Sequence, residues 1–164
     1  MQIKHPLLVV ALFLILLLPS LSSCSGSADK DKVVSVAADD SEMTAAIAKA
    51  RRLLPQFWQT FDRREHGEKD FCLKVKITDK DKVEHFWVVD IERKDEKIFG
   101  TVNNDPEIVH NVKIGDRISI PEGDISDWLY MRDDKMVGNY TLRVLFKQMS
   151  ASEVEKYKKM LADP

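Results

Sequence analysis

The chain has 164 residues, 44% of them hydrophobic and 32% charged, with a formal charge of −2 at pH 7. Beyond a short leader this is the length of one ordinary domain with one core, burying about two-thirds of its unfolded surface. A near-neutral balance, whose doublets Arg51-Arg52 and Arg63-Arg64 read as solvated helix face, lacks the clustered positive charge that displaces phosphate counterions and so excludes nucleic acid as a partner.

Lys4 and His5 precede an unbroken apolar run, Leu7 to Leu18, which as a helix would reach about 18 Å against a hydrocarbon core of roughly 30 Å. Pro19 and the small residues Ser20, Ser22 and Ser23 follow, so the segment reads as a secretory signal absent from the working protein. Leu21-Ser22-Ser23-Cys24 resembles the lipobox of bacterial lipoproteins. The resemblance implies cleavage between Ser23 and Cys24, diacylation of the Cys24 thiol by palmitate-type chains, and acylation of the new amino group. Two or three chains, at about 0.8 kcal/mol per buried methylene, hold a protein on a membrane where one does not. Ser25 rather than Asp follows the Cys, which by resemblance to the sorting rule of two-membrane bacteria implies the outer membrane, facing the periplasm. In a single-membrane organism the same anchor leaves the domain on the outer face of the plasma membrane.

Residues 25–38 are small and charged and form a flexible tether of about 20 Å, although Val33, Val34 and Val36 can still pair with a sheet edge. Residues 39–164 form the single α+β domain. With Cys24 consumed by lipid, Cys72 is the one remaining thiol, and no internal disulfide forms.

Asp39 and Glu42 suggest a variant capping box for a helix over 41–53, with Met43, Ala46, Ile47, Ala50, Leu53 and Leu54 at helical spacing. Pro55 kinks or restarts it, and Phe57, Trp58 and Phe61 form the face of a second short piece ended by Gly67. Phe71, Leu73, Val75 and Ile77 alternate with Cys72, Lys74, Lys76 and Thr78 as in a half-buried strand. After a turn over 79–82, Val83 to Arg93 is apolar on both faces and reads as a central strand. Lys97 to Val102, Ile108 to Val112 and Arg117 to Ile120 add short strands, Asp124 to Asp127 a helical turn, and Trp128 to Met131 the last strand. Tyr140 to Met149 fits strand or helix, with helix favoured, and Ser150 with Glu153 caps a terminal helix. The expected fold is a curled antiparallel sheet of five to six short strands, resembling a small open barrel, with N-terminal and C-terminal helices packed on it.

Five strings, His85-Phe86-Trp87, Asn103-Asn104-Asp105-Pro106, Gly115-Asp116-Arg117, Asp124-Ile125-Ser126-Asp127-Trp128-Leu129-Tyr130 and Gly138-Asn139-Tyr140-Thr141-Leu142-Arg143, resemble those of a bacterial family known as domain of unknown function 2314. The likeness extends loosely over 45–160. It implies no activity, since the family has none established. Asn104-Asp105 lengthens a turn that is usually shorter, and Asn139 stands where a second Gly is common, which suggests a positive φ there.

Several residues allow a functional and a packing reading. In the first, Asp124 to Tyr130 is a loop that aims Asp127 at a ligand flanked by Trp128 and Tyr130; in the second, it is a capped turn whose two aromatic rings fill the core. His85, on a face with Trp87, is either a base or a histidine bonded at the core's edge. His66, His85 and His110 lack the spacing of a metal site, so neither metal nor cofactor is expected. Cys72, beside Lys74 and Lys76, is a redox-active thiolate or a tucked small side chain. Arg143 pairs with Asp127 or Asp124, or offers its guanidinium to an anion. The preferred function is a non-catalytic, lipid-anchored binding module of the envelope. It would offer a Trp/Tyr-lined groove to a protein partner or small ligand, with His85, Trp87, Asn103, Asn104, Asp124, Asp127, Trp128, Tyr130, Tyr140 and Arg143 as candidate residues. The alternatives are a hydrolase that pairs His85 with Asp127 or Asp124 in a cleft, and an immunity or stress-protection protein that binds one partner through an acidic groove.

Overall fold

A computed structural model describes residues 40–162 and the backbone of two short strands, β1 (Leu8–Ala11) and β2 (Val33–Val36). Ser23, Cys24, Asp39 and the rest of the leader and tether lie outside the described residues.

Helix α1 (Ser41–Arg63) begins at Asp40, whose carboxylate accepts the N–H groups of Glu42 and Met43 at 2.8 and 3.0 Å. The helix runs unbroken through Pro55. An interior proline costs about 3 kcal/mol, but Met43, Ala50, Leu54 and Phe57 continue one apolar stripe across it and are buried. Each large apolar side chain contributes roughly 1.5–3 kcal/mol on burial, so the stripe outweighs the lost backbone bond and the expected break does not occur. Arg64 closes the helix in the left-handed region, φ 50°, with its N–H on the Thr60 carbonyl.

Six antiparallel strands follow: β3 (Lys69–Asp79), β4 (Lys82–Lys94), β5 (Lys97–Val102), β6 (Arg117–Ile120), β7 (Ile125–Arg132) and β8 (Lys135–Gly138). Their pairings run β6-β5-β4-β3-β7-β8. The backbone of β1 lies parallel to β4 at Glu84 and His85 and pairs on its other side with β2. The sheet is neither curled nor barrel-like: β6 and β8 do not pair with each other, and the order stays open. At its centre are not short strands but a hairpin of 11 and 13 residues, and helices cover both of its faces. Burial is achieved by layering, so closure is not needed.

Three other expectations change. Ile108 to Val112 is a loop, because the N–H groups of Glu107, Ile108 and Val109 point at the buried Glu84 carboxylate, 3.0–3.2 Å away, instead of a neighbouring strand. The turn before β7 is a short 3-10 segment, Glu122–Asp124, and Ile125 already belongs to the strand. Strand β8 hydrogen-bonds along β7 from Leu129 to Arg132.

Gly138, at φ +90°, lies so close to the Trp128 carbonyl and ring that a Cβ would collide with both. Asn139 follows in the left-handed region at φ 52°, as its place beside a usual glycine suggests. Helices α2 (Tyr140–Leu145) and α3 (Ala151–Met160) complete the domain, the latter with the reciprocal Ser150–Glu153 capping box.

Alternation splits the core between the two sides of the sheet. On one side Phe71, Leu73, Val75, Val88, Trp128 and Tyr130 pack against Ala50, Leu54, Phe57 and Trp58 of α1. On the other Cys72, Trp87 and Leu129 pack against Leu142 of α2 and Tyr157 of α3.

Candidate functional site

The second side of the sheet carries a buried polar seam. Lys74 pairs with Trp87 of β4 and Asp127 of β7, and Lys76 pairs with His85. Between β3 and β7 the register slips: Lys74 opposes Asp127 while Val75 opposes Ile125, which leaves Ser126 as the extra residue of a β-bulge. Bulges re-aim side chains. Here the Ser126 hydroxyl meets His85 Nδ1 at 2.7 Å and donates to the Lys74 carbonyl at 3.1 Å.

Asp127 is fully buried. Its carboxylate accepts from the backbone of Trp128, Tyr140 and Thr141 and from the Thr141 hydroxyl, at 2.7–3.2 Å. The Lys74 ammonium donates to that same hydroxyl at 3.2 Å and sits 5.5 Å from the centre of the Trp87 ring. Burial pushes the Lys74 ammonium down to about 8 against the pull of Asp127. It likewise pushes the Asp127 carboxyl up, against Lys74 and the Thr141 bonds. The seam ties β3 and β7 to the start of α2, so Asp127 positions the chain and does not face a ligand.

His85 is 4% exposed. Burial first, then the positive charges of Lys74, Lys76 and Arg51, push its imidazole down to about 3, so it is neutral at physiological pH. The Ser126 hydroxyl thus bridges Nδ1 and the Lys74 carbonyl, and the tautomer of the ring sets the direction of the bond to Nδ1. His85 bonds neither Asp127 nor Asp124, and its Nε2 is buried without a hydrogen-bond partner. The pairing that a hydrolase would need is not made.

Beside His85 and Ser126 a cleft of about 550 Å³ opens beneath the N-terminal half of α1, walled by Ile47 and Ala48 and rimmed by Arg51 and Lys76. Arg51 is fixed by bonds to the carbonyls of Ile125 and Gly123 at 2.9 and 2.8 Å. Lys76 pairs with Asp124 at 3.3 Å.

The other sequence candidates are structural. Trp128 and Tyr130 stack at 6.1 Å within the α1 core and are almost fully buried, so the Trp/Tyr-lined groove does not exist. Trp128 gives its indole proton to the Ala50 carbonyl at 2.8 Å, and Tyr140 packs edge-on against its ring at 5.5 Å. Trp87 is core. Asn104 takes the Trp87 N–H at 2.9 Å and Asn103 gives its own N–H to the Trp87 carbonyl, so this pair completes the edge of β4. Arg143 reaches neither Asp127 nor Asp124; it donates to the Ala162 carbonyl at 2.8 Å and fastens the chain end.

Cys72 is buried, and burial followed by the nearby Asp70 and Asp90 pushes its thiol up to about 12, which removes the thiolate reading. His66 and His110 are exposed and apart from His85, and among the described residues no three His, Cys, Asp or Glu side chains gather in a metal-binding group. Lys74, Ser126, Thr141 and Arg51 are the site residues that strand and helix patterns missed. Alternation alone places Lys74 on a solvated face, and a bulge leaves no mark in periodicity.

A family model described as "Uncharacterized protein conserved in bacteria (DUF2314)" matches residues 40–162. The chain is similar to the "Uncharacterized protein YegJ" of Escherichia coli K12, at 34% identity over 80% of this chain and 84% of that protein. It is also similar to the "Putative ankyrin repeat protein NMB1133/NMB1171" of Neisseria meningitidis serogroup B, at 30% identity over 70% of this chain but only 48% of that protein. No solved structure matches. The family match thus runs from the Asp40 cap of α1 to the residue that Arg143 holds, and the chain belongs to the bacterial DUF2314 family.

Proposed function

We propose that this protein is a lipid-anchored envelope protein whose DUF2314 domain binds a ligand and does no chemistry on it. The observation that supports the reading is the commitment of the candidate catalytic groups: His85 bonds Ser126 and neither carboxylate, while Asp127 is held by the backbone and hydroxyl of Thr141 and by the backbone of Trp128 and Tyr140. The rim of Arg51 and Lys76 also speaks against an acidic groove of the kind that an immunity role was expected to use.

The anchor rests on the sequence around Cys24 and on the short apolar run before it. Among the described residues no helix is long and apolar enough to cross a membrane. Growth with an alkyne-tagged palmitate tests the anchor directly. The wild-type chain should be labelled and sediment with membranes, and Cys24→Ala should be neither. A wild-type chain that stays unlabelled and soluble inside the cell overturns the localisation. Crosslinking in intact cells then asks whether a protein partner is held in a fixed ratio.

A further inference from the structure

We propose that in the cut, acylated chain the tether strand β2 (Val33–Val36) closes onto the edge of β4 at Val83–His85, in the place that β1 holds in the uncut chain, and so brings the domain closer to the membrane. This rests on the anchored reading above and adds what the tether does.

The edge follows from alternation along β4. Trp87 gives its N–H to Asn104 and its carbonyl takes the Asn103 N–H, each at 2.9 Å, on the side away from β3. Backbone groups alternate between the two sides of a strand, so those of Val83 and His85 point the same way as those of Trp87. Strand β5 reaches no further along β4 than Val88, where it pairs with Val102, and leaves these groups to another strand. A row of unpaired N–H and C=O groups on an edge is a template for one, and β1 takes it, parallel, at Glu84 and His85. Yet β1 (Leu8–Ala11) belongs to the leader that processing at Cys24 removes.

Strand β2 is the segment placed to succeed it. It lies one strand further out, antiparallel to β1, and therefore antiparallel to β4, the orientation that pairs slightly better. Val34 stands opposite Val10, and Val10 opposite His85, so a sideways step of about 4.8 Å sets Val34 against His85 with no slip along the strand. Residues 37–39 join β2 to the Asp40 cap of α1 and extend by up to about 10 Å, enough for that step. Three of the four residues of β2 are valine, which favours a strand. Closure leaves residues 25–32 as the free tether, a coil of about 15 Å in place of about 20 Å.

The experiment uses the acylated full-length mature chain, 15N-labelled and purified from membranes in detergent, with its intact mass and its amide hydrogen exchange read on one sample. In the wild type the His85 amide should exchange at least about a hundredfold more slowly than in an unfolded chain, whatever the protein concentration. Val34→Pro, which puts a ring where the donor to His85 must be, should restore fast exchange there. Ser35→Pro should not, because the N–H it deletes faces outward from the new edge. Phe86 and Val88, whose N–H groups face β3, should stay slow in all three chains and show that the fold is kept. Fast exchange at His85 in the wild type, or slow exchange that Val34→Pro leaves untouched, overturns the proposal. Protection lost on dilution assigns the edge to a second copy and overturns it too. A mass that retains residues 1–23 overturns the anchored reading and this proposal with it, whereas with a cut mass the exchange rates decide this proposal alone.

Discussion

The same two strands, β3 and β7, build opposite kinds of interior on their two sides. Toward α1 they send Phe71, Leu73, Val75, Trp128 and Tyr130 into a closed aromatic layer around Phe57. Toward α2, one residue out of step, they send Lys74 and Asp127, buried just as completely. The first side is held by area removed from water and is tolerant of what surrounds it. The second is held by matched polar groups in a dry setting, where each partner is costly to remove because the others stay behind. The cleft lies at the end of this second side, beside His85, whose Nε2 is buried without a hydrogen-bond partner.

Removing one buried group from each side breaks this comparison most sharply. Phe57→Ala should lower stability by about 3–5 kcal/mol through the cavity left in the aromatic layer, read as the urea midpoint by tryptophan fluorescence. Asp127→Ala should cost a similar amount, about 3–5 kcal/mol, by stranding a buried ammonium and four donor contacts. The two differ in rescue. Adding Lys74→Met to Asp127→Ala should recover a large part of the loss, whereas no single substitution around Phe57 should. If the double variant is no better than Asp127→Ala, the seam does not act as a coupled unit.

Gly138→Ala comes next, at about 1–3 kcal/mol, because it places a side chain at positive φ against the Trp128 carbonyl and ring. Since Asn139 bonds the same carbonyl at 2.8 Å, the loss should appear as earlier hydrogen exchange at the start of α2.

A smaller effect reads the His85 side through pH. Its imidazole is held near 3 in the folded protein against an ordinary 6.5, so between those values the unfolded chain binds a proton that the folded one refuses. Its contribution is complete above pH 6.5 and declines as pH falls toward 3, by at most about 1.4 kcal/mol per pH unit. His85→Gln should flatten that part of the stability curve. Lys74 acts at the alkaline end: with its folded value near 8 against 10.5, stability should rise between those values, and Lys74→Met should remove the rise.

The smallest change is expected at Glu42–Lys147, an exposed pair between α1 and the turn after α2. Lys147→Ala should move stability by about 0.2–1 kcal/mol and less in salt.

Local rules made much of this legible. Helix periodicity, the Ser150–Glu153 cap, the turn over 79–82 and the central place of β4 all depend on groups close together along the chain, whose geometry a few residues decide. At Pro55 the local penalty points to a break, but the burial of the α1 stripe, which only the sheet provides, keeps the helix continuous. Ile108 to Val112 has the composition of a strand, yet its donors go to Glu84, more than twenty residues earlier.

By itself the amino-acid order determined most of the element types, the α+β class and the family strings. Tertiary structure alone decided that the sheet stays open, that Trp128 and Tyr130 close a core instead of lining a groove, and that His85 faces Ser126. Alternation says which residues share a side of a strand but not what covers that side, and a one-residue bulge changes the side without changing the pattern.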